Sequence, residues 1–289
     1  MSKMIFLVDD EKDVRAGLRI LLRAQGYNTA EAENGEVALE MLQEVKPDLI
    51  LLDVQMPKMD GFSFCRHLRQ EIGDTSTYIA MVSAKNKIVD RVEGLSNGVD
   101  VYFTKPFNTK ELVAQIKVGL VTTDQRRNSL KDSLTKLPSR IAFEEALKRE
   151  LGRFKRQSNN LVLSIIDLDY FKKINDEKGH STGDAVLVDL AQLFGRQVRE
   201  SDFLARWGGD EFVLIFPDCT LEMAEIKMEG LRKSVEQHCF PEIEKERLSV
   251  SIGVTQIRKE DSFKSFFKRA DRACYQAKNG GRNRVIALP

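Results

Sequence analysis

Four short apolar runs, at residues 4–8, 49–52, 78–82 and 101–103, punctuate the chain before residue 121, and amphipathic stretches separate them. Val14, Leu18, Leu21 and Leu22 recur at i, i+4, i+7 and i+8, and Val37, Ala38, Met41 and Leu42 at i, i+1, i+4 and i+5, the stripes of one-sided helices. Buried strands alternating with such helices through short connections form a parallel sheet covered on both faces, an α/β doubly wound arrangement. The later sequence breaks that rhythm. Runs at 161–166, 248–254 and 284–288 join a hairpin of 203–206 and 211–216 turned by Gly208-Gly209, the pattern of a mixed α+β domain.

The length of 289 residues suits two domains, and 42% hydrophobic residues suffice for two cores. Lys+Arg 45 against Asp+Glu 44 leaves a net charge of +1, so the basic excess of a nucleic-acid binder is missing. There is no run long enough for a membrane span and no secretory signal, and Cys65, Cys219, Cys239 and Cys274 are scattered without a CxxC pair. A cytoplasmic protein with reduced thiols is expected, with neither nucleic acid nor membrane as a partner.

Residues 108–130 read as one helix in which Val113, Ile116, Leu120, Thr123, Arg127 and Leu130 alternate at three- and four-residue spacing. Two readings stand. The helix packs on its own domain, at least as far as Leu120, or it carries a weak dimerising seam interrupted by Thr123 and Arg127.

Asp9 and Asp10 follow the first run, Asp53 closes the second, Ser83 follows the third and Lys105 the fourth. The carboxyl ends of parallel strands share one edge, where ligands bind. Carboxylates crowded there repel by a few kcal/mol per close pair at an effective dielectric near ~20, which a hard divalent cation such as Mg²⁺ relieves. Carboxylate, cation site, hydroxyl and ammonium around one point are equipment for receiving a phosphoryl group on Asp53. In this ordered set, with Tyr102, residues 3–121 resemble the response-regulator receiver family. The resemblance implies a flavodoxin-like fold, an aspartyl phosphate on Asp53 donated by a sensor histidine kinase, and Mg²⁺ held at Asp9, Asp10, Asp53 and Gln55. It also implies a switch through Ser83, Tyr102 and Lys105.

In the second half, a run ending Asp167-Leu168-Asp169 is followed by Arg206-Trp207-Gly208-Gly209-Asp210-Glu211-Phe212. A hairpin turn explains the glycines but not the two acids after them. If Asp167 and Asp210 lie on neighbouring strands, they make a two-carboxylate Mg²⁺ site beside a glycine turn able to approach phosphate, suited to in-line displacement at phosphorus. Lys278 and Arg282, four apart, would share a helix face and clamp terminal phosphates. A carboxylate at Asp184 and an amide at Asn175 match the donor edge of guanine and reject adenine, so GTP is the expected substrate.

These motifs, with Asp132-Ser133-Leu134-Thr135, Asn175-Asp176, Gly183-Asp184, Ser251-Ile252-Gly253-Val254 and Lys278–Asn283, make residues 128–289 resemble the GGDEF family, the diguanylate cyclases. Lys136 and Ser139 depart from the usual glycine and asparagine at the domain entrance. The resemblance implies an α+β ferredoxin/palm-like fold and condensation of two GTP into cyclic di-GMP with release of two pyrophosphates. It implies metal ligands at Asp167, the Leu168 carbonyl and Asp210, catalysis by Asp210 with Glu211, and substrate contacts at Phe171, Lys172, Asn175, Asp184, Gly208, Gly209, Lys278 and Arg282. Arg199 and Asp202, just before Gly208, match the family's RxxD product-inhibition site.

The expected architecture is a receiver at 1–121, a helical linker at 122–131 and a GGDEF domain at 132–289. Joining two nucleotides symmetrically calls for a homodimer in the active state. A non-catalytic cyclic di-GMP receptor is the alternative, and the intact Gly208-Gly209-Asp210-Glu211-Phe212 speaks against it.

Overall fold

A computed structural model of the chain describes residues 2–83, 98–157, 159–243 and 247–289. The chain divides into two compact units, Met1–Arg127 and Asn128–Pro289.

In the first unit, β1 (Met4–Val8), β2 (Asn28–Ala32), β3 (Leu49–Asp53), β4 (Tyr78–Ser83) and β5 (Val101–Thr104) form a parallel sheet in the order β2-β1-β3-β4-β5. Helices α1 (Lys12–Ala24), α2 (Gly35–Met41), α3 (Gly61–Arg66) and α4 (Thr109–Ser129) connect or follow these strands. Alternate strand residues go to opposite faces. Ile5 and Leu7 pack with Leu18, Leu22, Leu112 and Ile116, while Phe6 and Val8 pack with Ala38, Phe64 and Leu68. Burying each of the larger side chains contributes about 1.5–3 kcal/mol, so both layers are needed to hold the sheet. The apolar runs predicted four of these strands and missed β2. Its sequence, Asn-Thr-Ala-Glu-Ala, sits at the sheet edge with only Ala32 buried, so it needs no apolar run.

The seam on α4 is turned inward. Ile116, Leu120 and Thr123 are buried in the unit's own core. Thr123 Oγ1 donates to the Asp48 carbonyl at 2.8 Å and accepts from the Tyr78 N–H at 3.2 Å. Arg127 donates to Asp48 Oδ1 at 2.6 Å and to the Pro47 carbonyl at 2.7 Å. The two polar interruptions are therefore docking groups for the amino-terminal ends of β3 and β4, and the dimerising reading of this stripe is corrected. Solvent meets the opposite stripe, where Val118 and Val121 are exposed.

In the second unit, β6 (Leu161–Leu168), β7 (Phe203–Gly208), β8 (Glu211–Pro217), β9 (Val250–Gln256) and β10 (Val285–Leu288) lie in the order β10-β9-β6-β8-β7. One face packs on α7 (His180–Gly195) and α8 (Leu221–Gln237) through Ile166, Leu190, Phe194 and Leu231. The other packs on α5 (Arg140–Gln157) and α9 (Phe263–Asn279) through Leu163, Ile165, Phe143 and Phe266. A short helix α6 (Phe171–Lys178) follows β6. Gly253 on β9 lets α9 lie directly on the sheet, since a Cβ there would meet the Cys274 nitrogen at 2.2 Å. That close approach sets where the end of α9 falls. Among the described residues, no helix is long and apolar enough to cross a membrane.

Candidate functional site

At the carboxyl edge of the first sheet, Lys105 Nζ lies 2.9 Å from Asp9 Oδ2, 2.8 Å from Asp53 Oδ1 and 3.5 Å from Glu11 Oε1. The remaining oxygens accept main-chain N–H groups, Asp9 Oδ1 from Glu11 and Asp53 Oδ2 from Gln55. Burial pushes the Asp53 carboxyl above its ordinary value although Lys105 opposes the shift. Burial works against the Lys105 charge as well, but Asp53 and Asp9 outweigh it and hold the ammonium firmly. Gly61 starts α3 against this site, where a Cβ would lie 2.3 Å from the Asp53 carbonyl oxygen. Ser83 is buried and its carbonyl accepts from the Lys105 N–H at 2.7 Å, while Tyr102 is half-buried on the Phe6 side of the sheet. Asp10 does not join the Lys105 cluster. It is exposed and borders an open groove with Gln55, Met56 and Phe62.

In the second unit, antiparallel register sets Asp167 opposite Glu211, and the Asp210 carbonyl accepts from the Leu168 N–H at 3.4 Å. Lys278, in the last turn of α9, places Nζ 2.5 Å from Asp167 Oδ2. Burial first, then repulsion from Asp210 and Glu211, raises the Asp167 carboxyl to about 6 against the pull of Lys278. Glu211 is raised by burial and by Asp210. The turn itself needs glycine, because Gly209 has φ +54° and Gly208 φ +154°.

The donor set suits Mg²⁺. Among the described residues, no group of three or more His, Cys, Asp or Glu side chains is arranged to hold an ion alone. Mg²⁺ takes one or two carboxylates and completes its shell with water and phosphate oxygens, and Asp167, Asp210 and the Leu168 carbonyl are hard oxygen donors of that kind. The Lys278 ammonium on Asp167 stands in for a cation at this spot. Lys105 does the same between Asp9 and Asp53.

Asn175 on α6 faces the start of α7, where a Cβ at Gly183 would fall 1.9 Å from Asn175 Oδ1. The next residue, Asp184, is exposed, as is Lys172, while Phe171 is buried beneath them. The expected shared helix face of Lys278 and Arg282 is corrected. The helix ends at Asn279, and Arg282 lies beyond it at φ +63°, its guanidinium 4.6 Å over the Tyr170 ring. The chain turns there because Gly280 and Gly281 follow, so the two cations do not share a helix face. At the RxxD site Arg199 is exposed, and Asp202 Oδ2 accepts from Lys227 at 3.3 Å and from the Arg199 N–H at 3.1 Å.

Two residues of the quoted motifs carry roles that their spacing did not reveal. Arg206 donates twice to the Gly209 carbonyl, at 3.1 and 2.8 Å, and once to Asp132 Oδ1 at 3.0 Å, clamping the glycine turn to the domain entrance. Asp169 is buried and accepts from Ser249 Oγ, Ser251 Oγ and the Asn283 N–H.

Residues 129–284 match the family described as diguanylate cyclase, GGDEF domain. The chain belongs to the GGDEF family. A response regulator receiver domain, matched over residues 5–117, precedes the GGDEF domain. The chain is 33% identical over 255 residues to the response regulator PleD of Caulobacter vibrioides, covering 83% of this chain and 56% of PleD. It is 40% identical over 164 residues to the diguanylate cyclase DgcP of Pseudomonas aeruginosa, covering 56% of this chain and 24% of DgcP. It therefore spans about half of one curated relative and a quarter of the other. Its fold is similar to the coiled coil and GGDEF domain of DgcB from Caulobacter crescentus in complex with c-di-GMP, with TM-score 0.57, 32% identity, and coverage of 62% of this chain and 96% of that one.

Proposed function

We propose that this chain is a diguanylate cyclase that condenses two GTP into cyclic di-GMP and two pyrophosphates, under control of phosphorylation at Asp53. The observation that carries the reading is the cluster of Asp167, Asp210 and Glu211 at the Gly208-Gly209 turn, with Lys278 neutralising Asp167. DgcP is itself called a diguanylate cyclase, and PleD pairs with this chain across both domains.

In the GGDEF domain, Asp167, Asp210 and the Leu168 carbonyl would hold Mg²⁺, which when bound supplies charge to offset the triphosphate and the developing oxyanion. Asn175 and Asp184 read the guanine edge, above the Phe171 floor. Lys172, Lys278 and Arg282 bind the phosphates, and the Lys278 ammonium exchanges Asp167 for a phosphate oxygen. The main chain of Gly208 and Gly209 approaches the triphosphate where a Cβ would stand in the way. Asp210 takes the proton of the 3′-hydroxyl, with Glu211 beside it. The new bond joins O3′ of one nucleotide to the α-phosphorus of the other, and the bond from that phosphorus to the leaving pyrophosphate breaks.

Each site holds one GTP, so two copies face each other in the active state. The outward stripe of α4, with Val118 and Val121, is the surface we assign to this contact in place of the buried seam. In the receiver, Asp9, Asp10, Asp53 and the Gln55 carbonyl would hold Mg²⁺. Phosphorylation by a sensor histidine kinase replaces the single carboxylate charge of Asp53 with about −1.5 to −2 on the phosphoryl group. Lys105 then leaves Asp9 for the phosphate, Ser83 donates to it, and Tyr102 repacks. Product binds at Arg199 and Asp202.

The test is incubation of the full chain with GTP and Mg²⁺, with and without beryllofluoride, following pyrophosphate and cyclic di-GMP. Product that rises with beryllofluoride, and no longer does so in Asp53→Asn, is expected. No product in either condition, with cyclic di-GMP still bound, would overturn the enzyme in favour of a receptor.

A further inference from the structure

Arg232 lies in the middle of α8, a helix to which the proposed chemistry assigns nothing, and is only 8% exposed. A guanidinium buried to that extent must be fully paired. Its Nε and Nη2 donate to the two oxygens of Glu229, at 2.9 and 2.8 Å. Its Nη1 donates to Glu236 Oε2 at 3.0 Å and to Asn283 Oδ1 at 2.6 Å. Asn283 returns an N–H from Nδ2 to Glu236 Oε1 at 2.8 Å, and its main-chain N–H donates to Asp169 Oδ2 at 3.0 Å. Asn283 is thus held from both ends of its amide by α8 and from its backbone by the residue that follows β6.

The holding matters because of the backbone it holds. Gly281, Arg282 and Asn283 stand in sequence at φ +113°, +63° and +46°. For a side-chain-bearing residue the left-handed region costs about 1–2 kcal/mol, and it persists only where the surroundings over-determine it. We propose that Arg232 is a positioning residue. Through Asn283 it fixes the 281–283 loop and so aims Arg282 at the terminal phosphates of bound GTP. Stabilising α8 alone would need Glu229 and Glu236 but no bond to Asn283, which lies 51 residues away in the chain.

This inference rests on the GTP-binding reading, so the experiment separates the two. The full chain is titrated calorimetrically with the α,β-methylene analogue of GTP, which cannot release pyrophosphate, and with GMP, which has no terminal phosphates. Arg232→Lys keeps the charge and loses the planar fork, and Asn283→Gly accepts the left-handed backbone and loses the amide. Both are expected to weaken the analogue by about tenfold, the worth of one charge-assisted phosphate contact, and to leave GMP affinity within twofold. Adding Arg232→Lys to Arg282→Ala should cost nothing further, because both act on one contact.

Unchanged discrimination between the two nucleotides in both variants overturns the proposal, as does a parallel loss of both affinities, which marks a structural role alone. Should Arg232→Lys fail to fold, Asn283→Gly carries the comparison. A wild-type chain that binds neither nucleotide overturns the GTP reading first, and this inference with it.

Discussion

Replacing Thr123 by valine separates a docked α4 from a dimerising one. The side chain is fully buried, and its hydroxyl satisfies two main-chain groups, the Asp48 carbonyl at 2.8 Å and the Tyr78 N–H at 3.2 Å. Valine has the same shape and leaves both unpaired. A buried unpaired polar group costs about 1–3 kcal/mol, so the pair together costs about 2–4 kcal/mol once partial relaxation is allowed. Thr123→Ser keeps the hydroxyl and loses one methyl group, at about 1 kcal/mol. Hydrogen exchange of the full chain, read in peptides covering β4, converts these costs into opening equilibria. With about 1.4 kcal/mol per decade, valine should speed exchange there by about 30- to 1000-fold and serine by about fivefold. Equal, small effects of the two would show that the hydroxyl bridges nothing. Stronger self-association of the valine variant in sedimentation, without loss of protection, would restore the seam to a partner and refute the docking of Thr123.

Three further outcomes follow from the GGDEF domain. The Asp167 carboxyl titrates at about 6 when folded, raised from 3.8, so the folded state holds a proton that the unfolded chain has lost. Without metal, stability therefore falls as pH rises from about 4 to about 6, and Asp167→Asn should flatten that slope in urea unfolding followed by the single tryptophan, Trp207. Gly183→Ala puts a methyl 1.9 Å from Asn175 Oδ1, the far end of a short side chain that can turn away. It should raise KM for GTP about tenfold or more, the worth of one lost base contact, with the melting temperature within a few degrees. Gly253→Ala meets main chain instead, at 2.2 Å from the Cys274 nitrogen, so α9 must lift off β9 and carry Lys278 away from Asp167. Loss of stability of about 3 kcal/mol or more in the domain that contains Trp207 is expected, with exchange in the β4 peptides unchanged.

The apolar runs and helix stripes carried most of the fold because a covered strand and a one-sided helix must each write their burial into the local sequence. The order of chemistry-bearing residues after those runs likewise pointed to one shared edge, since parallel strands deliver their carboxyl ends there. Asp9, Asp53 and Lys105 meet as that rule demands. Asp10, one residue from Asp9, turns to solvent instead, at the bend that follows β1.

What periodicity cannot say is which surface covers a stripe. The spacing of Ile116, Leu120, Thr123 and Arg127 is the same whether the partner is another chain or the chain's own strands, and only the contacts with Asp48 and Tyr78 decide it. Strand β2 escaped notice because an edge position demands little burial. The face assigned to Lys278 and Arg282 failed because Gly280 and Gly281 end the helix between them. Asp202 is engaged and Arg232 reaches Asn283 through bonds to residues far away in sequence, Lys227 on one side and the 281–283 loop on the other. Local pattern thus determined most of the elements and singled out the candidate site residues. Their partners were left to tertiary packing, because a polar side chain is satisfied by whatever the fold brings within about 3 Å, and no periodicity encodes that neighbour.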